Sequence, residues 1–395
     1  MFSTRALLSL VCLPAFALAA CTTKSIDDGT EDENAVVAPT GVAALGAGTH
    51  SIDSVQWDVI GNSDDGLAQP RDLDFNPFTP GELWVVNRKD DSVVRYSNAG
   101  TAEQTAEHRI DSYAQHFMEE VSAISFSKDV TYKSGNTFGT CQESENTYND
   151  KTMGNGFMGP TLWTSDWEFF GFSNPEAVKA LGGSDLGSHI DMMHESPLCM
   201  GIGWETDNVY WTIDGKKKTI SRYDFAEHHD FGYDDHSDGT VLRYPAIEYT
   251  RVEDVPSHIL FSQSEKVVYY NDTGSGRVMR FDPNTATVGK EQSSKDHAEF
   301  MNMDGGDLSV VADSETAAGL THPSGITLHE EVLYVSDNSS SKIFAIKTDG
   351  TVVDWLDTGL PEGSIMGLRV DAEGSIWFVD NVANEVVRLR GLAKK

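Results

Sequence analysis

The chain has 395 residues, a length for one large domain or two to three ordinary ones, and enough to bury a substantial core. Its 62 acidic and 29 basic side chains leave a formal net charge of -33, which would repel a phosphate backbone and excludes nucleic acid as a partner. Hydrophobic residues make up 39% and aromatics 10%, a composition that fills a core and excludes wholesale disorder.

Arg5 is followed by an apolar run, residues 6–20, that is too short to span a bilayer and has the length of a signal-peptide core. The run ends Leu18-Ala19-Ala20-Cys21, which resembles the bacterial lipobox. The resemblance implies that Cys21 is acylated (a thioether-linked lipid plus palmitate) and becomes the mature N-terminus; an ordinary signal peptide with a chance Cys is the alternative. Three chains on one Cys anchor far more firmly than one. In enterobacterial lipoproteins Asp after the Cys signals inner-membrane retention, and here Thr22 stands there, so an extracytoplasmic protein on the outer rather than the inner membrane is expected. Residues 22–49 carry five acids and no aromatic, which reads as a flexible tether. The expected organisation is a signal peptide at 1–20, an acidic tether at 21–50 and one domain at 51–395. Cys141 and Cys199 remain; export makes a disulfide between them the default, with a thiol pair serving a soft metal as the alternative.

Internal similarity sets the fold expectation. Six units begin with a short apolar strand: Pro70-Arg71-Asp72-Leu73, Val121-Ser122-Ala123-Ile124, Cys199-Met200-Gly201-Ile202, Pro256-Ser257-His258-Ile259, Pro323-Ser324-Gly325-Ile326 and Ile365-Met366-Gly367-Leu368. A second strand follows and ends in Asn87, Asp214, Asp272, Asp337 or Asp380; only the second unit delays it, to Leu162-Trp163-Thr164-Ser165-Asp166. Eight residues after each of those five come Arg95, Arg222, Arg280, Ala345 and Arg388 on a third strand. Short strands at a recurring period of about 40 to 50 residues read as propeller blades. The expected class is therefore an all-β, six-bladed β-propeller. The strand at 55–60 should complete the last blade, and one short helix at 174–182 should sit in an insertion, where Asn174 caps and Pro175 begins it.

The pattern resembles the NHL-repeat family, whose repeat reads approximately Pro-x-Gly-[IV], then a [VI]-x-D strand, then an [IV]-x-x-[FYL] strand. The resemblance covers about residues 54 to 390. Glycine in the repeat suits the crowded axis, and the recurring Asp caps the turn after the second strand.

Candidate chemistry follows from that layout. His194, His258 and His322 fall at or near the starts of first strands, 64 residues apart, where imidazoles from neighbouring blades could hold Zn or Cu at the channel mouth. Met192, Met193, Met200 and Met366 lie nearby and would favour copper. The alternative is loop histidines making backbone hydrogen bonds. The family includes a lyase that finishes peptide amidation with channel-facing His ligands to zinc and catalytic Arg and Tyr; that resemblance implies Arg71 and His258 as candidate catalytic residues. Lactonase-type propellers carry Ca²⁺ on carboxylates and Asn, a role open to Asn87, Asp214 and Asp380.

A second candidate metal set is His229, Asp234, His236 and Asp238 in a dense His/Asp loop, where Asp234-x-His236-x-Asp238-Gly239 is similar to the start of a Ca²⁺ loop. A solvated turn or a hydrogen-bond network is the alternative. Phe157, Trp163, Trp167, Phe169 and Phe170 offer either blade packing or a sugar-stacking ledge. No G-x-S-x-G elbow, phosphate loop, dinucleotide fingerprint or H-E-x-x-H helix occurs. Two functions stand. One is an envelope-anchored, monomeric propeller that binds a small molecule, glycan or protein at its channel mouth with a divalent metal (Ca, Zn or Cu). The other is a metal-dependent lyase or lactonase-type enzyme with a His-lined channel.

Overall fold

The computed structural model describes residues 41–147, 154–171 and 186–392. The signal peptide, Cys21 and the helix expected at 174–182 lie outside the described residues. Twenty-four strands are described, and the one α-helix among the described residues, Ala114–Phe117, is four residues long.

Six strands form the inner ring: β2 (Pro70–Phe75), β6 (Val121–Tyr132), β10 (Cys199–Thr206), β14 (Ile259–Ser262), β18 (Pro323–His329) and β22 (Ile365–Val370). Each contacts the next and β22 contacts β2, so the ring closes. Burial along them is graded: β2, β10, β18 and β22 are buried at their starts and half-exposed at their ends. One end of the axis is therefore packed and the other open.

Close approach at the packed end explains its small residues. A Cβ on Gly201 would stand 2.0 Å from the Ser257 carbonyl oxygen, and one on Gly367 2.2 Å from Asp72 Oδ1. Second strands such as β3 (Leu83–Asn87) and β11 (Val209–Asp214) are buried throughout, as strands covered on both faces must be. The repeated arginines point outward onto acids across the sheet: Arg222 Nε lies 2.7 Å from Glu205 Oε2, and Arg388 Nη2 3.1 Å from Asp58 Oδ2.

The expectation of six separate blades is overturned by the sheets. There are four four-stranded sheets and one eight-stranded sheet, ordered β10-β11-β12-β13-β17-β16-β15-β14. The cause is a long hairpin, β16 (Arg277–Glu291) and β17 (Glu299–Ala312), at 15 and 14 residues well beyond an ordinary strand. It overreaches its own sheet, and β17 pairs in parallel with the edge strand β13 (Thr240–Tyr244), Thr240 opposite Glu299 through Arg243 opposite Asn302. That pairing covers an edge which would otherwise offer unpaired backbone groups.

Two further boundaries differ. The second unit's second strand is β7 (Gly135–Gln142), and Thr161–Thr164 is its third strand, β8. β7 reads Gly-Asn-Thr-Phe-Gly-Thr-Cys-Gln, without an aliphatic run, yet every residue in it is buried. The end of the expected tether is packed: Leu45 is fully buried, the Gly48 amide donates to Asp354 Oδ2 at 3.0 Å, and the His50 ring stacks on Trp355.

At the chain's far end β1 (Val55–Gly61) pairs antiparallel with β24 (Glu385–Gly391), joining the two ends of the domain in one sheet. Cys141 on β7 and Cys199 on β10 form a disulfide between neighbouring sheets. On the chain-entropy account, closing its loop of 58 residues contributes about 4 kcal/mol.

Candidate functional site

The packed end of the axis is saturated. The Asp72 carboxylate, fully buried, accepts from the Ile124 amide at 3.1 Å and meets Arg369 Nη1 at 3.4 Å, while Arg369 Nε donates to Asp74 Oδ1 at 3.0 Å. His258, 1% exposed, donates from its backbone N to Ser324 O at 2.9 Å and places Nδ1 3.0 Å from the same carbonyl. With the ring hydrogen on Nδ1, Nε2 stands 3.4 Å from Asp72 Oδ2 without a hydrogen-bond partner among the described residues. Burial, opposed by the Asp72 charge, lowers the His258 pKa, so the ring is neutral. Arg71 lies against the Met366 sulfur at 2.9 Å, and burial lowers its pKa to about 10.

The other axial expectations resolve into structural duties. Asp337 accepts from the Thr321, His322 and Ser340 amides, and Asp380 from those of Val382 and Ala383. Asp214 accepts from the Lys217 amide and pairs with Arg243; Asn87 bridges the Ala68 amide, Gly66 O and Ser92. Asn87, Asp214 and Asp380 are thus turn caps with their acceptors in use. His322 is half-buried and held by Asp337 through its backbone.

His194 is elsewhere. Two residues before it ends β9 (Asp191–Met192), the outermost strand of its sheet, so the chain at His194 is still at the periphery. There its Nδ1 lies 2.6 Å from Asp296 Oδ1, at the tip of the long hairpin, and Phe157 stacks on it at 3.6 Å. The expected triad of His194, His258 and His322 is corrected accordingly. Among the described residues the one set of three or more His, Cys, Asp or Glu side chains with ligand atoms mutually within 4.8 Å is His189, His229 and His236.

This cluster forms where the loop between β12 (Thr219–Asp224) and β13 crosses onto β9: the His229 amide donates to Ile190 O, and the Gly232 amide to His189 O. Each ring is oriented through Nδ1, at 3.0 Å from Leu186 O for His189, 2.6 Å from Asp230 O for His229 and 2.9 Å from Asp191 Oδ1 for His236. Burial pushes His189 well below its ordinary pKa and His229 down to about 4, so both rings are neutral near pH 7. Asp234 and Asp238 are exposed and stand outside the cluster, so the structure joins only His229 and His236 of the four loop candidates. His189 and Asp191 escaped the sequence reading. Their signal is Ser188-His189-Ile190-Asp191, a His two residues before an Asp that opens a two-residue strand, too short a pattern to stand out unaided.

The aromatic ledge is chiefly core. Trp163 and Phe170 are at most 1% exposed, and the Trp167 ring is covered by the Arg95 and Arg109 guanidiniums at 4.2 and 4.1 Å.

At the open end of the axis lies a cavity of about 1020 Å³, lined by the ends of all six inner strands rather than by the loops leading into them. Phe126, Trp204, Phe261 and Leu328 supply its apolar wall and Arg369 its polar floor, while Glu330 and Glu373 are among its acidic residues. Such a volume is at the upper end of ligand sites, with the expected mix of apolar wall and few polar groups.

No family model matches the chain, and no curated protein matches it. Solved structures do. A luciferin-regenerating enzyme is 14% identical at a TM-score of 0.53, over 86% of this chain and 96% of that one. An auxiliary nutrient binding protein from Bacteroides ovatus is 11% identical at 0.50, over 90% and 76%. Virginiamycin B lyase from Staphylococcus aureus is 13% identical at 0.45, over 86% and 100%. Together with the ring of inner strands, the first two likenesses define the class: this is a propeller-type, all-β fold. At such identities the likeness is one of fold alone.

Proposed function

We propose that the chain is an exported, lipid-anchored, NHL-type propeller that binds a small molecule or glycan with an apolar face in the cavity at the open end of its axis. The observation that carries this reading is that cavity: six strands from distant parts of the chain converge on one wide, apolar-walled funnel. Its acidic residues and the charge of -33 favour a neutral or cationic ligand over an anion. Leu18-Ala19-Ala20-Cys21 supports the anchor, the funnel then working outside the cytoplasm.

A lyase or lactonase reading needs His258 to meet a substrate. Its burial between Ser324 and Asp72, with the ring hydrogen already committed, favours binding over catalysis.

Trp204 is the test of the funnel. It is half-exposed on the wall, with its Nε1 donating to Asp207 O at 2.9 Å and part of its ring packed against a buried cluster, so Tm is measured alongside binding in any truncation. In a fluorescence screen of neutral glycans and amphipathic cations, Trp204→Ala should weaken any bound compound at least tenfold; compounds held equally by both proteins would refute the funnel as the site. Cys21→Ser should release the protein from the membrane fraction, and unchanged fractionation would refute the anchor.

A further inference from the structure

We propose that His189, His229 and His236 bind one divalent transition ion of the zinc class through their three Nε2 atoms, at the outer edge of the molecule and independently of whatever the funnel holds. A neutral imidazole has one N–H, and here each Nδ1 has an oxygen beside it, Leu186 O, Asp230 O and Asp191 Oδ1, with the Met192 amide also 3.4 Å from His236 Nδ1. With the hydrogens on Nδ1 each Nε2 keeps its lone pair, which is how ligating histidines are ordinarily set up, with a carbonyl or carboxylate behind the ring.

The His229 Nε2 is buried without a hydrogen-bond partner among the described residues. His189, fully buried, has an oxygen within hydrogen-bond distance of each nitrogen, Leu186 O at Nδ1 and Tyr233 O at 3.1 Å from Nε2, so its hydrogen can sit on Nδ1 while Nε2 binds an ion. Tetrahedral zinc at about 2.0 Å from each nitrogen needs ligand atoms about 3.3 Å apart, and the three sets of ring atoms already lie within 4.8 Å of one another.

The donor set selects the ion. Three imidazoles suit zinc, copper or nickel, whereas calcium and magnesium require oxygen, and the exposed Asp234 and Asp238 supply none here. Three protein ligands leave one position for water or another small ligand. Mechanically, the ion would staple the loop at 225–239 to the edge of the neighbouring sheet, since His229 and His236 belong to that loop and His189 lies two residues before β9.

The full chain, purified in detergent and dialysed against a chelator, is titrated with Co²⁺ and, by competition, with Zn²⁺. The expected result is one ion per chain, with the visible absorption of tetrahedral cobalt and a rise in Tm on adding Zn²⁺. His229→Gln and His236→Gln should each weaken Zn²⁺ at least tenfold, while His258→Gln and His194→Gln bind as the parent does. Absence of a saturable equivalent, binding unaffected by the first two substitutions, or equal loss in all four would each overturn the site. His229 is only half-buried, so His229→Gln remains a decisive variant should His236→Gln fail to fold.

Discussion

The axial histidine and the edge histidines are both buried imidazoles beside oxygen atoms, and they differ in where the second nitrogen looks. At the axis, His258 donates through Nδ1 to Ser324 O and turns Nε2 toward Asp72, a carboxylate already engaged by Arg369 and the Ile124 amide. At the edge, three rings with oxygens beside Nδ1 bring one ligand atom each within 4.8 Å of the others. Burial alone therefore does not mark a ligating histidine. Convergence does, because a metal needs several lone pairs aimed at one point.

The largest loss is expected from Asp72→Ala at the axis. It leaves Arg369 short of a partner and the Ile124 amide without its acceptor in a fully buried site; such losses cost about 3 to 5 kcal/mol. A urea titration should show that drop with zinc binding unchanged, and a loss under about 1 kcal/mol would mean that the plug is not held as described.

Next is acid. Burial, reinforced by His194, holds His116 at about 4 against an ordinary 6.5, and burial lowers His258 as well. Because the folded pKa is the lower one, the unfolded chain takes up the proton first as pH falls. Stability present above about pH 6.5 is then lost between 6.5 and 4, by roughly 3 kcal/mol for His116 alone. Denaturant midpoints of the metal-free protein and of His116→Gln across that window test it, because Asp91, Asp191 and Asp214, raised by burial to about 7, 7 and 6, give the opposite slope in both proteins; a difference between the two that stays flat with pH would contradict a neutral buried His116.

The smallest effect sharpens the contrast. His258→Gln keeps a donor for Ser324 O and should cost only about 1 kcal/mol, whereas an edge substitution should be read in metal affinity.

Much of the frame was legible because propeller strands repeat. The spacing from Asn87, Asp214, Asp272, Asp337 and Asp380 to the third strand reflects a tight turn whose caps are local, and local geometry leaves a local signature. The strand at 55–60 and the pairing of Cys141 with Cys199 were legible for a related reason, the first by an unfinished last unit and the second by elimination. β7 was not, since its burial comes from neighbouring sheets while its own residues are Gly, Asn and Thr. Nor was the union of two units through β13 and β17, which depends on how far a hairpin projects in space.

The sequence by itself determined the all-β repeat, the inner-strand starts and the chemistry of each histidine, because propensity, period and side-chain type are properties of neighbours along the chain. Only the tertiary structure decided which histidines meet. His189 and His236 are 47 positions apart, in segments that flank strands of different sheets, and share a cluster because a loop crosses from one sheet to the next; His194 and His258, 64 apart at equivalent steps of the repeat, do not. The funnel was decided in the same way: its wall comes from the ends of six strands whose starts, a few residues earlier, are packed shut by their neighbours around the axis.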